Sequence, residues 1–286
     1  MLEEHRTTVE RGKWMAARVV GTGPAIVLIH GIPGSSAVWT SVVEHLRAAH
    51  RVISLDLIGF GASSRSERID DLWADSQAAA VRALLDDLGV GAAVIAGHDF
   101  GGPVAVHLVK SDPERVAGLV LASTNAFADT PVPFPLSGIR WPVVGSAWER
   151  LLFSTPSLRM MISQGVGPRG PRLDPSRYVG DRQQARAIGV IFGTALRELR
   201  ERYEPIARWL ENVRVPTTVL WGDQDPFFPV AQAKRTAALI QGARVVVFRG
   251  AGHFLPEERP HEFAAAIAAI TATSVGEVGR AVGTAP

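Results

Sequence analysis

The chain has 286 residues, 47% of them apolar and 20% charged, with a formal net charge of +2 and no cysteine. Basic residues are scattered among acidic ones, so the electrostatic footprint of a nucleic-acid binder is missing, and disulfides, thiol nucleophiles and thiolate metal sites are excluded. The opening stretch MLEEHRTTVERGK is charged and lacks an apolar h-region, and no run approaches about eighteen apolar residues. These features predict a cytoplasmic protein that acts on a small hydrophobic molecule and not on a membrane, as monomer or homo-oligomer alike. Arginine outnumbers lysine 27 to 3, which points to a GC-rich bacterial genome.

Short apolar runs then alternate with longer amphipathic stretches. AIVLIHG (25 to 31) precedes a helical pattern at 36 to 48, RVISLDL (51 to 57) precedes one at 70 to 88, and AAVIAG (92 to 97) precedes one at 101 to 111. VAGLVLAS (116 to 123) closes this block. The alternation resumes with TTVLWG (217 to 222), a helix at 230 to 241, ARVVVFRG (243 to 250) and a helix over about 257 to 271. Strand-helix units of this kind predict an α/β fold, a mostly parallel sheet with helices on both faces.

Residues 126 to 212 lack a strand pattern, are rich in proline, and hold Trp141, Trp148, Trp209 and both tyrosines, Tyr178 and Tyr203. They are expected to be a helical insertion capping the carboxyl edge of the sheet, where open α/β sheets place ligands; the alternative is a second domain packed elsewhere. The chain thus divides into a first core part (1–125), the cap (126–212), a second core part (213–272) and a flexible tail (273–286). GVGPRGPRLDP (165 to 175) reads as a mobile loop that gates the site. Phe134, Met160, Met161, Ile191 and Phe192 supply apolar lining for a bulky or aromatic substrate.

The chemistry concentrates at strand ends. In AGHDFGGPVAVH (96 to 107) a strand reverses into a helix around Asp99, with Gly97 and Gly101 relieving the crowding and the helix start favouring an ionised carboxylate. Asp99 is either an exposed reactive group or a cap of that helix. HGIPGSSAVW (30 to 39) follows another strand, and its turn aims the Ile32 N–H, beside that of Phe100, at a developing oxyanion. WGDQDPFFP (221 to 229) ends a strand with Asp223 and Asp225, and GAGHFLPEERP (250 to 260) follows the last with His253. Nucleophile, acid and base thus arrive at the carboxyl ends of three strands.

Gly97-His98-Asp99-Phe100-Gly101-Gly102, His30-Gly31-Ile32-Pro33, Asp225 and Gly252-His253 resemble the epoxide hydrolase and haloalkane dehalogenase branch of the α/β-hydrolase superfamily, over about residues 8 to 272. The resemblance implies an α/β-hydrolase fold and a triad of Asp99 as nucleophile, His253 as base and Asp225 as the orienting acid, with Asp223 the competitor for the last role. No metal or organic cofactor is implied. A carboxylate, with a reference pKa of about 3.9, is already ionised and attacks a saturated carbon bearing a leaving group, which disfavours esters, amides and thioesters as substrates.

In the dehalogenases the halide is held by a tryptophan directly after the nucleophile, with a turn asparagine or a cap tryptophan. Here those places hold Phe100 and Ile32, whose side chains donate nothing. Nor do arginines follow the nucleophile as in fluoroacetate dehalogenases; Phe100 and Pro103 stand there. An epoxide oxygen needs an acid from the cap, commonly tyrosine in this family. The first expected place holds Trp148 and the second falls near Phe192 to Leu196, leaving Trp148, Tyr178 or Tyr203 as candidate donors, with Trp39 and Phe192 shaping the pocket. The expected activity is an epoxide hydrolase. The alternatives are a haloalkane dehalogenase using the same Asp99 ester, and a non-catalytic small-molecule-binding protein on the same scaffold.

Overall fold

The apolar runs become the centre of one eight-stranded sheet in the computed structural model, which describes residues 3–132, 134–141 and 143–282, with backbone alone at 176 and over 273–282. The strands are β1 (Glu3–Thr8), β2 (Trp14–Val20), β3 (Ala25–Ile29), β4 (Arg51–Asp56), β5 (Ala93–His98), β6 (Val116–Ala122), β7 (Thr217–Gly222) and β8 (Arg244–Phe248). They lie in the order β1-β2-β4-β3-β5-β6-β7-β8. β1 and β2 pair antiparallel, β2 meets β4 antiparallel, and every other pairing is parallel. β5 and β7 are buried at every position, as continuous apolar runs demand when both sheet faces are covered.

The first two strands were not expected from the charged N-terminus. They form an edge hairpin in which Thr7, Met15, Ala17 and Val19 turn inward while Glu4, Trp14 and Arg18 face water.

The α-helices are α1 (Thr40–Leu46), α2 (Ile69–Leu72), α3 (Ala74–Asp87), α4 (Gly101–Ser111), α5 (Gly145–Leu152), α6 (Thr155–Gln164), α7 (Arg182–Arg197), α8 (Leu199–Leu210), α9 (Val230–Leu239), α10 (Leu255–Glu258) and α11 (Pro260–Val282). The single helix read over 70 to 88 is interrupted at Trp73, whose backbone is extended at φ −73°, ψ 161°. Its indole thereby packs edge-on against Phe100 and Tyr203, with ring centroids 5.5 Å and 6.0 Å away. Between β6 and β7 the described residues form only helices, α5 to α8 and short 3₁₀ turns. The last helix reaches Val282, well into the segment read as a flexible tail, and 283–286 lie outside the described residues.

β3 is hydrogen-bonded to β4 on one side and β5 on the other, so the chain reverses its direction of sheet growth there. Open α/β sheets bind ligands in the crevice this reversal creates, at the carboxyl ends of the strands. The turns after β3 and β5 carry Ile32 and Asp99 into that crevice.

Candidate active site

Asp99 sits between β5 and α4 with φ at +51°, the left-handed region a non-glycine residue rarely adopts. Its N–H donates to the Ala122 carbonyl at 3.0 Å and its carbonyl accepts the Thr124 hydroxyl at 2.6 Å, so neighbouring β6 holds the turn in place. A side chain at Gly97 would collide with the Gly101 backbone, and one at Gly101 with the Ile29 carbonyl. The N-cap residue of α4 is Phe100, one position beyond Asp99, and the Asp99 carboxylate turns toward the neighbouring strand ends. Its Oδ1 accepts the Ile32 N–H at 2.8 Å, and Oδ2 faces His253 Nε2 at 3.6 Å.

His253 Nδ1 lies 3.0 Å from Asp225 Oδ2. Asp225 Oδ1 accepts the N–H groups of Phe227 at 2.8 Å and Phe228 at 3.0 Å, so both oxygens are used. Asp223 is turned away: its Oδ1 accepts the Gly250 N–H at 2.7 Å and steadies the loop after β8. Geometry thus pairs His253 with Asp225 and not with Asp223.

Burial raises the Asp99 carboxyl above the ordinary range, opposed by the charge of His253 and by the Ile32 and Phe100 N–H groups. Asp225 runs the other way: burial works to raise it, but His253 and the two backbone N–H groups hold it below the ordinary carboxylate range. For His253 burial favours the neutral ring, yet the charge and hydrogen bond of Asp225, with Asp99 behind them, keep it above its usual value. His98, its ring centroid 4.9 Å from that of His253 and tilted to it, is pushed down to about 3 chiefly by burial and stays neutral while its Nε2 donates to the His253 carbonyl at 2.8 Å.

A cavity of about 130 Å³ opens above Asp99 and His253, walled by Ile32, Pro33, Asn125, Pro226, Phe227 and Phe228 from the sheet side and by Leu136, Met161, Phe192, Leu196 and Tyr203 from the helical segment. Tyr203 and Phe192, two of the residues singled out in the sequence, line this cavity. Burial and the charge of Asp99 push the Tyr203 hydroxyl above its ordinary value, and a hydrogen bond with Asn125 works the other way.

The other aromatic candidates do not line this cavity. Trp148 stacks on Phe134 and donates its indole N–H to the Pro135 carbonyl at 2.8 Å, so packing within the helical segment has claimed the donor. Tyr178 is buried edge-on against Phe254 and lines a separate small pocket. Trp39 is fully buried between His98 and Phe263 beneath the sheet edge. Of the apolar lining expected, Met161 and Phe192 face the cavity and Ile191 an adjoining pocket, whereas Phe134 and Met160 lie on the surface, 67% and 60% exposed. The loop read as a gate is fastened at its start: the Gly165 carbonyl accepts the His253 N–H at 2.7 Å and Gly167 N donates to Glu258 at 2.9 Å.

The sequence reading passed over Asn125 and Phe227-Phe228. Both had a signal, since Asn125 follows strand β6 and the phenylalanines follow the Asp225 motif, at the same carboxyl edge as the triad. Among the described residues no helix is long and apolar enough to cross a membrane.

The chain is 29% identical over 258 residues to an uncharacterized protein of Mycobacterium tuberculosis, covering 87% of this chain and 75% of the other. It is 28% identical over 263 residues to haloalkane dehalogenase 2 of the same organism (86% and 87% covered). It is 24% identical over 254 residues to epoxide hydrolase 4 of Mus musculus (83% and 70%). The solved haloalkane dehalogenase DbeA of Bradyrhizobium elkani superposes with a TM-score of 0.79 at 22% identity, covering 96% of this chain and all of that one. A family model described as the alpha/beta hydrolase fold matches residues 24–260. With the strand order, the turn at Asp99 and this match over most of the chain, the protein belongs to the alpha/beta hydrolase fold family.

Proposed function

We propose that the protein is an epoxide hydrolase that opens a compact apolar or aromatic epoxide to a diol through an ester on Asp99. The observation that carries this reading is the pairing in one cavity of a carboxylate with a phenol, Asp99 with Tyr203, while the candidate cap indole Trp148 is committed to Pro135.

In the first half-reaction Asp99 Oδ2 attacks a ring carbon, because Oδ1 is held by the Ile32 N–H. The C–O bond breaks and its electron pair moves to the departing oxygen. That oxygen takes the Tyr203 proton, since a phenol with reference pKa about 10 is far more acidic than an alcohol. Asn125 favours the phenolate left behind.

In the second half-reaction His253 Nε2 takes a proton from water and the hydroxide attacks the ester carbonyl at Asp99. Negative charge develops on the oxygen facing the Ile32 and Phe100 N–H groups, each such donor contributing about 2.7 to 4 kcal/mol. Asp225 holds the imidazole in the tautomer that leaves Nε2 free and stabilises the cation that forms. Collapse breaks the ester C–O bond; the new carboxyl proton passes to the departing alkoxide, giving the diol and the Asp99 carboxylate, and the proton held by His253 returns by way of solvent to the Tyr203 phenolate.

The 130 Å³ cavity is close to the roughly 150 Å³ that admits a benzene ring in an engineered protein core, which fits an aryl or short alkyl epoxide. A halide would find no side-chain N–H donor from Phe100, Ile32 or Trp148.

The test is intact-mass measurement of His253→Gln protein, stalled at the ester, after exposure to epoxides and haloalkanes. An adduct equal to a whole epoxide, mapped to Asp99, is the expected result. An adduct equal to an alkyl halide less hydrogen halide would make the protein a dehalogenase. Binding without any adduct would mark a non-catalytic binding protein.

A further inference from the structure

Glu258 is buried, 6% exposed, and has no cationic side chain within ion-pair distance among the described residues. Burying a carboxylate is costly unless its oxygens are satisfied, and here backbone amides do it. Oε2 accepts the N–H groups of Gly167 and Gly252, each at 2.9 Å, and Oε1 accepts that of Phe254 at 3.1 Å. Gly252 and Phe254 flank His253, and Gly167 belongs to the loop after α6 in the helical segment. The His253 N–H itself donates to Gly165 at 2.7 Å. At this seam the two loops lie backbone against backbone: a side chain on Gly252 would collide with the Gly165 carbonyl and the Gly167 amide. Three consecutive amides of the catalytic loop are thus fixed either by the helical segment directly or by the carboxylate that also grips it.

We propose that Glu258 is a positioning residue that makes the base His253 competent only while the 165–167 loop of the helical segment is seated, by clamping that loop and both flanks of His253 with one carboxylate. The inference rests on the proposed role of His253 in ester hydrolysis. It predicts that loosening the clamp harms the step that needs His253 and spares the step that needs Asp99. Glutamine at 258 keeps the shape but has one acceptor oxygen, so its amide group must face at least one of the three N–H donors. Four groups act on the imidazole: Asp225 beyond β7, Asp99 and His98 from the β5 turn, and Glu258 from α10. Removing the Glu258 charge lowers the His253 pKa, because an anion stabilises the imidazolium.

The experiment compares wild type with Glu258→Gln. Hydrogen exchange over peptide 165–170 and NMR titration of His253 are read without substrate; ester formation and ester hydrolysis are read separately by quenched flow with an aryl epoxide. The clamp predicts faster exchange, a lower His253 pKa, and ester hydrolysis slowed at least about tenfold more than ester formation. Unchanged exchange and titration, or equal slowing of both steps, would overturn it. If the wild type forms no ester, the Asp99 chemistry fails while exchange and titration still decide on Glu258. Should Glu258→Gln fail to fold, Gly167→Ala presses the same seam from the other side, its added carbon meeting the Gly250 carbonyl at 2.5 Å and Gly252 N at 2.7 Å, and must give the same split between the two steps.

Discussion

Asp99, His253 and Asp225 were legible because each stands at a strand end beside small or turn-forming residues, and a short motif fixes its place without knowledge of the rest of the fold. The proposed proton donor was not legible in that way. Whether Tyr178, Tyr203 or Trp148 reaches Asp99 depends on the phase of helices some fifty to a hundred residues away along the chain, and on which polar partners lie nearer. Pro135 captured Trp148, and Phe254 packed Tyr178 away from the cavity. Tyr203 was left facing Asp99, which gives a prediction at this scale. Tyr203→Phe should slow ester formation from epoxides by roughly a hundredfold or more, the usual contribution of a general acid, and leave ester hydrolysis near wild type. Single-turnover measurement of the two steps checks this; an unimpaired first step in Tyr203→Phe would assign the donor elsewhere.

Among the elements, the buried strands and α4 matched the apolar runs closely, because burial on both faces leaves a continuous signal in the sequence. Elements decided by local exceptions were harder to read. β1 and β2 form an edge hairpin with one solvated face, so charge masked them, and Trp73 breaks a helix whose pattern continues through it. The contact between α10 and the helical segment was also hidden, since it joins residues about eighty apart: Arg177 lies 3.3 Å from Glu257 and also donates to the Ala37 carbonyl at 3.0 Å. Burial pushes the Glu257 carboxyl up to about 7; Arg177 opposes this and Glu258 adds to it. A folded-state pKa above the unfolded value of about 4.5 means stability that is fully present below about pH 4.5 and lost as pH rises through about 7. Glu257→Gln, uncharged throughout, should therefore melt at least about 2 °C above wild type at pH 8 and within about a degree of it at pH 4. Calorimetry at the two pH values measures this, and a lower melting temperature at pH 8 would show that the pairing with Arg177 outweighs burial.

At the scale of the whole molecule, the sheet reverses its growth at β3, so the ends of β3 and β5 open a crevice, and the helical segment closes it. Neither part makes the cavity alone: Ile32, Asn125 and Phe228 supply one wall, Leu136, Phe192 and Tyr203 the other. A ligand held there touches both and must stabilise them together. Asp99→Asn protein retains the walls but cannot form the ester, so an aryl epoxide should bind it reversibly. At about a hundred times its Kd the ligand adds about 2.7 kcal/mol, which corresponds to a rise of roughly 4 to 5 °C in melting temperature for a chain of 286 residues. The rise should appear as the displacement of one cooperative transition, because separating the helical segment from the sheet destroys the site. Two transitions, with only one moved by the ligand, would mean that one part holds the ligand without the other, and the cavity walls would have to be reassigned to that part.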